Sequence, residues 1–301
     1  MNSAFTRGRV GWAARPGYSP GQPFQPGAIT GGLNGTTIEA RTPAELRSAI
    51  AHPGPVWIIA HPEAGGRQRE RLVIARDNLT LIGLPGFLLT GHGIRIDRAM
   101  NVAICGVTVA GASGDAFEVS ESRVVLLSAC EAKGFTDGGI DIVRGSTDVS
   151  IVDCTVSGGE KGCLIGADDR PHVRQFTGSL AHLGAIDDRH TRVWLEGCTF
   201  IGAKVRTPLV RHGCATLIDH SIIGGGKGPL VESRTGARVL WVSGQVQRTG
   251  GRPELAASFR SQDTVTVGRL YVAPGVHLGG STVQTNWSPT AAQLADMGVM
   301  G

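Results

Sequence analysis

The chain repeats itself, and the repeat restricts the fold more than any other feature. An apolar x-V-x-I/L pattern recurs as NLTLIG, NVAICGVTVAG, RVVLLSACEAKG, DVSIVDCTVSG, RVWLEGCTFIG, CATLIDHSIIGG, RVLWVSGQV and DTVTVGRLYV. The first apolar positions are 79, 102, 124, 149, 193, 215, 239 and 265, spaced 22 to 26 residues apart with one gap of 44. A period of that length, rich in β-branched residues and punctuated by glycine, predicts one solenoid coil per repeat. Leucine-rich repeats share the period, but their LxxLxL spacing is absent. The expected fold is all-β, a single-stranded right-handed parallel β-helix. Eight coils stacked at ~4.8 Å would make a rod roughly 40 Å long.

The rest of the chain fits around that rod. Residues 1–35 read as a Gly/Pro-rich arm suited to docking an assembly partner, and 36–301 as the β-helix domain. In RTPAELRSAIA, Thr42 and Glu45 have capping-box spacing and Pro43 takes the first helical position. A short helix to about Ala51 should therefore cover the N-terminal end of the coils, which would otherwise expose strand edges. A second small helix is expected from Ser288. The gap of 44 contains the polar stretch ADDRPHVRQFTGSLAHLGAIDDRH, read as a loop insertion around 167–190 that folds over a groove. Cys130, Cys154 and Cys198 fall near one phase of the repeat and read as buried, stacked thiols. Trp57, Trp194 and Trp241 lie in strand patterns, as core or ladder residues. No apolar run is long enough to span a membrane, and the N-terminus has no apolar core of signal-peptide length. A net charge of +4 favours acidic partners, but no recognition helix or basic-aromatic interleaving points to nucleic acid.

Equal phase in a solenoid means adjacency in space. Counting 12 or 13 residues from each coil start gives His92, Asp115, Asp137, Lys161, Arg206 and Lys227. These six should form a column on one outer face, acids first and bases after. Asp141 alternates with Ile140 and Ile142, so it faces outward beside Asp137. Arg211 projects from the same region as Arg206. Three crowded carboxylates repel one another unless a cation is present, and hard oxygen donors from separate coils suit Ca²⁺.

These motifs together resemble the pectate lyases, the polysaccharide lyases built on a parallel β-helix. The likeness spans roughly residues 30 to 250 and is carried by TPAELRSAI, GPVWIIA, LTLIGLPG, LTGHGIRI, GDAFEV, DGGIDIVRGSTDVSIVDCTV, KGCLIG and RTPLVRHG. It implies calcium ligands at Asp115, Asp137 and Asp141. It also implies Lys161, Arg206 and Arg211 as catalytic residues, with Lys161 and Arg211 holding substrate; Lys227 and His92, by their place in the column, are expected to bind substrate as well. The chain departs from the family where VVLLSAC replaces a vWIDH segment, and where Ser113 replaces an acid.

The implied activity is calcium-assisted β-elimination on a polygalacturonate-type polymer, by a protein working outside the cell. Arg206 is the implied base, although arginine ordinarily holds its proton near neutrality; Lys161 is the other candidate. A second reading is a virion-borne or phage-tail β-helix that binds or depolymerises host surface polysaccharide.

Overall fold

The computed structural model describes residues 29–224, 229–247, 254–256, 264–272 and 283–284. Lys227, the arm before residue 29 and the expected helix from Ser288 lie outside the described residues. The described chain is a parallel β-solenoid. Each coil runs through two strands of an 18-stranded sheet and then one strand of an eight-stranded sheet. Val56, Leu79, Val102, Val125, Val149, Val193, Ala215, Val239 and Val265 stand in register along the long sheet. From Val56 to Val239 their side chains are buried, so one β-branched or apolar position per coil builds a continuous core wall.

One coil start moves by a residue. Val125, not Val124, pairs with Val102 and Val149. In RVVLLS either valine could begin the strand, but at four successive coil starts the residue just before the first core position is left-handed. Asn78, Asn101, Val124 and Asp148 hold those corners at φ 56°, 62°, 54° and 58°. Asn101 donates from Nδ2 to Asn78 Oδ1 at 2.7 Å, the local polar bonding that makes asparagine suited to the turn. Val124 holds the same corner without that bond.

The helix Pro43–Ile50 covers the N-terminal end as expected. Glu45 N–H donates to Thr42 Oγ1 at 3.2 Å, and Thr42 N–H donates to Glu45 Oε2 at 3.1 Å. Leu46, Ala49 and Ile50 are buried against the first coils.

The insertion has structure of its own. Val173–Gln175 pairs antiparallel with Ala185–Asp187, and Phe176, Leu183 and Ile186 make a small core touching Met100. Its polar contacts run down the corner after the eight-stranded sheet. Arg174 reaches Glu121 at 3.1 Å, His182 reaches Asp77 at 2.8 Å, and Asp188 Oδ1 accepts from Gly145 N–H. Its strands dock along this corner, while Ala167 and Asp169 at its start reach Arg211.

None of the six cysteines forms a disulfide, and five of them are buried. Cys130, Cys154 and Cys198 stack in adjacent coils; Cys130 N–H donates to Cys154 Sγ at 3.4 Å. Trp194 and Trp241 are buried, so neither is an exposed platform.

Candidate functional site

The outer face of the eight-stranded sheet gathers the predicted acids and, of the predicted bases, Lys161, Arg206 and Arg211. Its inward residues are apolar: Ile94, Phe117, Ile140 and Cys163 are in register and buried. Alternation then turns Arg95, Glu118, Asp141 and Leu164 outward in one row.

The acids meet around Gly138. Asp115 Oδ1 accepts from Gly138 N–H at 2.9 Å. A Cβ placed on Gly138 would stand 2.3 Å from Asp141 Oδ1, so Asp141 leans into space that only glycine leaves open. Asp137 is the preceding residue, and its Oδ1 pairs with Lys161 Nζ. Asp141 points outward, yet it is only 9% exposed, and its Oδ1 has no hydrogen-bond partner. Burial first, then the charges of Asp115 and Asp137, pushes its carboxyl well above the usual carboxylate range; Arg206 acts in the opposite direction. Burial also raises Asp115, against the Gly138 amide and Arg71.

Two residues that sequence reasoning missed complete this end. Arg71 pairs with Glu118 and lies 3.5 Å from Asp115. Glu118 stands in register with Asp141 and also faces Arg95 at 3.8 Å. The alternation that turned Asp141 outward applies equally to Glu118 in GDAFEV. Arg71 precedes a strand in a coil whose start was not counted.

The column is less regular than equal spacing implies. His92, Asp115, Gly138 and Lys161 each precede the inward residue of their strand by two, so Lys161 registers with Gly138 and pairs with Asp137 diagonally. Beyond Lys161 the chain bulges. Lys161 bridges Val205 while Leu164 pairs with Leu209, so one extra residue is taken up between them. Arg206 lies in that bulge at φ 62°. Its side chain makes no ion pair or hydrogen bond with any described residue, although it lies within electrostatic range of Asp141 and Arg211. Arg211 is nine-tenths buried, donating from Nη1 to Ala167 O at 2.9 Å and pairing with Asp169 at 3.2 Å. The insertion therefore holds Arg211. Burial lowers its pKa, with Arg234 and Arg206 acting in the same direction and Asp169 opposing. His92 stands at the far end, lining a cleft of about 910 Å³ with Arg67 and Arg69.

No three His, Cys, Asp or Glu side chains stand at metal-ligand spacing among the described residues. The donor chemistry nonetheless fits a hard cation: three carboxylates gather about one glycine, and one carries a buried oxygen with no donor.

No family model matches the sequence. Across 271 residues the chain is 27% identical to a pectate lyase of Emericella nidulans, covering 86% of this chain and 76% of that one. It is 29% identical over 177 residues to a probable pectate lyase of Solanum lycopersicum. The resemblance is to pectate lyases. The match spans less than half, 44%, of the tomato protein's length. Among solved structures, the pectate lyase of Bacillus sp. N165, determined in complex with trigalacturonate, superposes with a TM-score of 0.70 at 18% identity, covering 93% of this chain and 91% of that one. The major cedar-pollen allergen gives 0.69 at 16% identity, covering 96% and 87%. Those structures establish the pectate lyase-like parallel β-helix.

Proposed function

We propose that this protein is a pectate lyase-like enzyme that cleaves a polygalacturonate-type polysaccharide by β-elimination outside the cell. The observation that carries this reading is the outer face of the eight-stranded sheet. There Asp141, in the group of carboxylates around Gly138, lies within electrostatic range of Arg206, whose side chain is unpaired among the described residues. The sequence relatives named pectate lyases support it, and they favour it over the virion-borne reading.

In β-elimination a base takes the proton from the carbon bearing the uronate carboxylate. A double bond then forms to the neighbouring carbon, and the glycosidic C–O bond on that carbon breaks. Arg206 is assigned the proton-abstracting position, because its side chain is free to meet the substrate. Lys161 faces the same groove and binds substrate carboxylate, exchanging Asp137 for it; it is the second candidate for the base. Arg211, fixed by Ala167 and Asp169, supplies positive charge beside the developing enolate-like anion. His92, with Arg67 and Arg69, offers cationic and hydrogen-bonding groups to carboxylates further along the polymer. Asp115, Asp137 and Asp141 would hold Ca²⁺, which when bound neutralises the uronate carboxylate and acidifies the adjacent C–H.

The test is direct. Polygalacturonate with calcium should yield an unsaturated product that absorbs in the ultraviolet, and a chelator or Arg206→Ala should abolish it. Binding without product would overturn the reading.

A further inference from the structure

We propose that His220, inside the solenoid, is a positioning residue that sets Arg206 in the groove. The inference rests on the lyase reading for its kinetic consequence and on geometry for its origin. His220 is fully buried in the strand His220–Ile223 of the long sheet, not of the sheet that carries the site. Its ring lies 4.9 Å from that of Phe200 and 5.7 Å from that of Trp241, edge-on to the latter. Cys198 occupies the equivalent place one coil earlier, so a small apolar side chain is enough to fill this position elsewhere in the rod.

The polar ring has a specific partner. His220 Nε2 lies 3.0 Å from the carbonyl oxygen of Thr207. A carbonyl only accepts, so Nε2 carries the proton and Nδ1 is bare; Nδ1 has no partner. Burial depresses the imidazole pKa to about 4, which keeps this neutral tautomer through the physiological range.

Thr207 O needs that donor because of the bulge. Cys163 N–H donates to Arg206 O at 2.5 Å and Gly162 N–H to Val205 O at 3.0 Å, so the neighbouring coil has supplied its amides to the two preceding carbonyls. Among the described residues, the only donor to Thr207 O is His220. A buried carbonyl without a donor is costly, and the chain would relieve that cost by rotating the Arg206–Thr207 segment. Arg206 is already held at φ 62°, where a non-glycine residue persists only when its surroundings fix it. Gly162 seals the other side, since a Cβ there would meet Thr207 Cγ2 at 2.7 Å and Arg206 O at 2.9 Å.

The experiment compares three variants on polygalacturonate with calcium. His220→Phe keeps the aromatic packing and removes the donor. His220→Asn is polar but too short to reach Thr207. His220→Gln places an amide N–H where Nε2 stood. The expected result is a kcat at least tenfold lower in His220→Phe and His220→Asn with KM within twofold, and recovery of most of kcat in His220→Gln. In an Arg206→Lys background, His220→Phe should cost less than twofold further. Hydrogen exchange gives a readout independent of activity: the amides of Arg206 and Thr207, bonded to Pro229 O and Leu230 O, should lose protection in His220→Phe and keep it in His220→Gln. Wild-type kcat in His220→Phe with unchanged exchange overturns the inference. An inactive wild type overturns the lyase reading alone, and exchange then decides the role of His220.

Discussion

Asp141→Asn should make the protein more stable while removing its response to calcium. Asp141 is 9% exposed and its Oδ1 accepts no hydrogen bond, while Asp115 and Asp137 add like charge. A buried polar atom left unsatisfied costs about 1–3 kcal/mol. Asparagine has the same shape, carries no charge and offers an N–H to the neighbouring carboxylates. Removing the penalty should raise Tm by about 2–12 °C, taking roughly 2–4 °C per kcal/mol. The assay is thermal unfolding at pH 7.5 in chelator, followed by circular dichroism. In calcium at 100 times its Kd the wild type should gain about 2.7 kcal/mol, and the variant should gain nothing. A lower Tm for Asp141→Asn in chelator would refute the claim that this carboxylate is stored at a cost. An equal calcium response in both proteins would refute its role as a ligand.

Gly138→Ala should also abolish the calcium response, because the added Cβ would sit 2.3 Å from Asp141 Oδ1; titration calorimetry with calcium checks this. His220 adds an acid limit to stability. Its folded pKa of about 4 lies below the unfolded value of 6.5, so the unfolded chain binds the extra proton between them. Stability should be complete above pH 6.5 and fall as pH drops toward 4, by about 3 kcal/mol from this group, with a flatter profile in His220→Phe denaturant melts. Thr42→Ala removes half of the capping box and should cost about 1 kcal/mol in urea unfolding with kcat unchanged, since the helix lies at the end of the rod. Asp169→Ala should raise KM for polygalacturonate several-fold in steady-state assays, because it loosens the insertion's hold on Arg211.

Most of the fold was legible because a solenoid writes its geometry into a period. The apolar repeat located the core wall, and equal phase brought Asp115, the Asp137–Asp141 pair, Lys161 and Arg206 to one face from four separate coils. The errors came where local chemistry broke the period. Val124 looked like a strand start because valine rarely occupies a left-handed corner. Arg206 left the column through a bulge that counting residues could not reveal. Glu118 was passed over although its alternation matched that of Asp141. The insertion's docking depended on pairs such as Arg174 with Glu121, 53 residues apart, which no periodicity encodes.

The unbridged sulfurs of this rod have a practical consequence. With five of six thiols sealed in the interior and none joined to another, the rod's cohesion is entirely non-covalent beyond the backbone. Dithiothreitol should leave its melting curve where it was, and a reducing host cytoplasm is chemically sufficient to produce it.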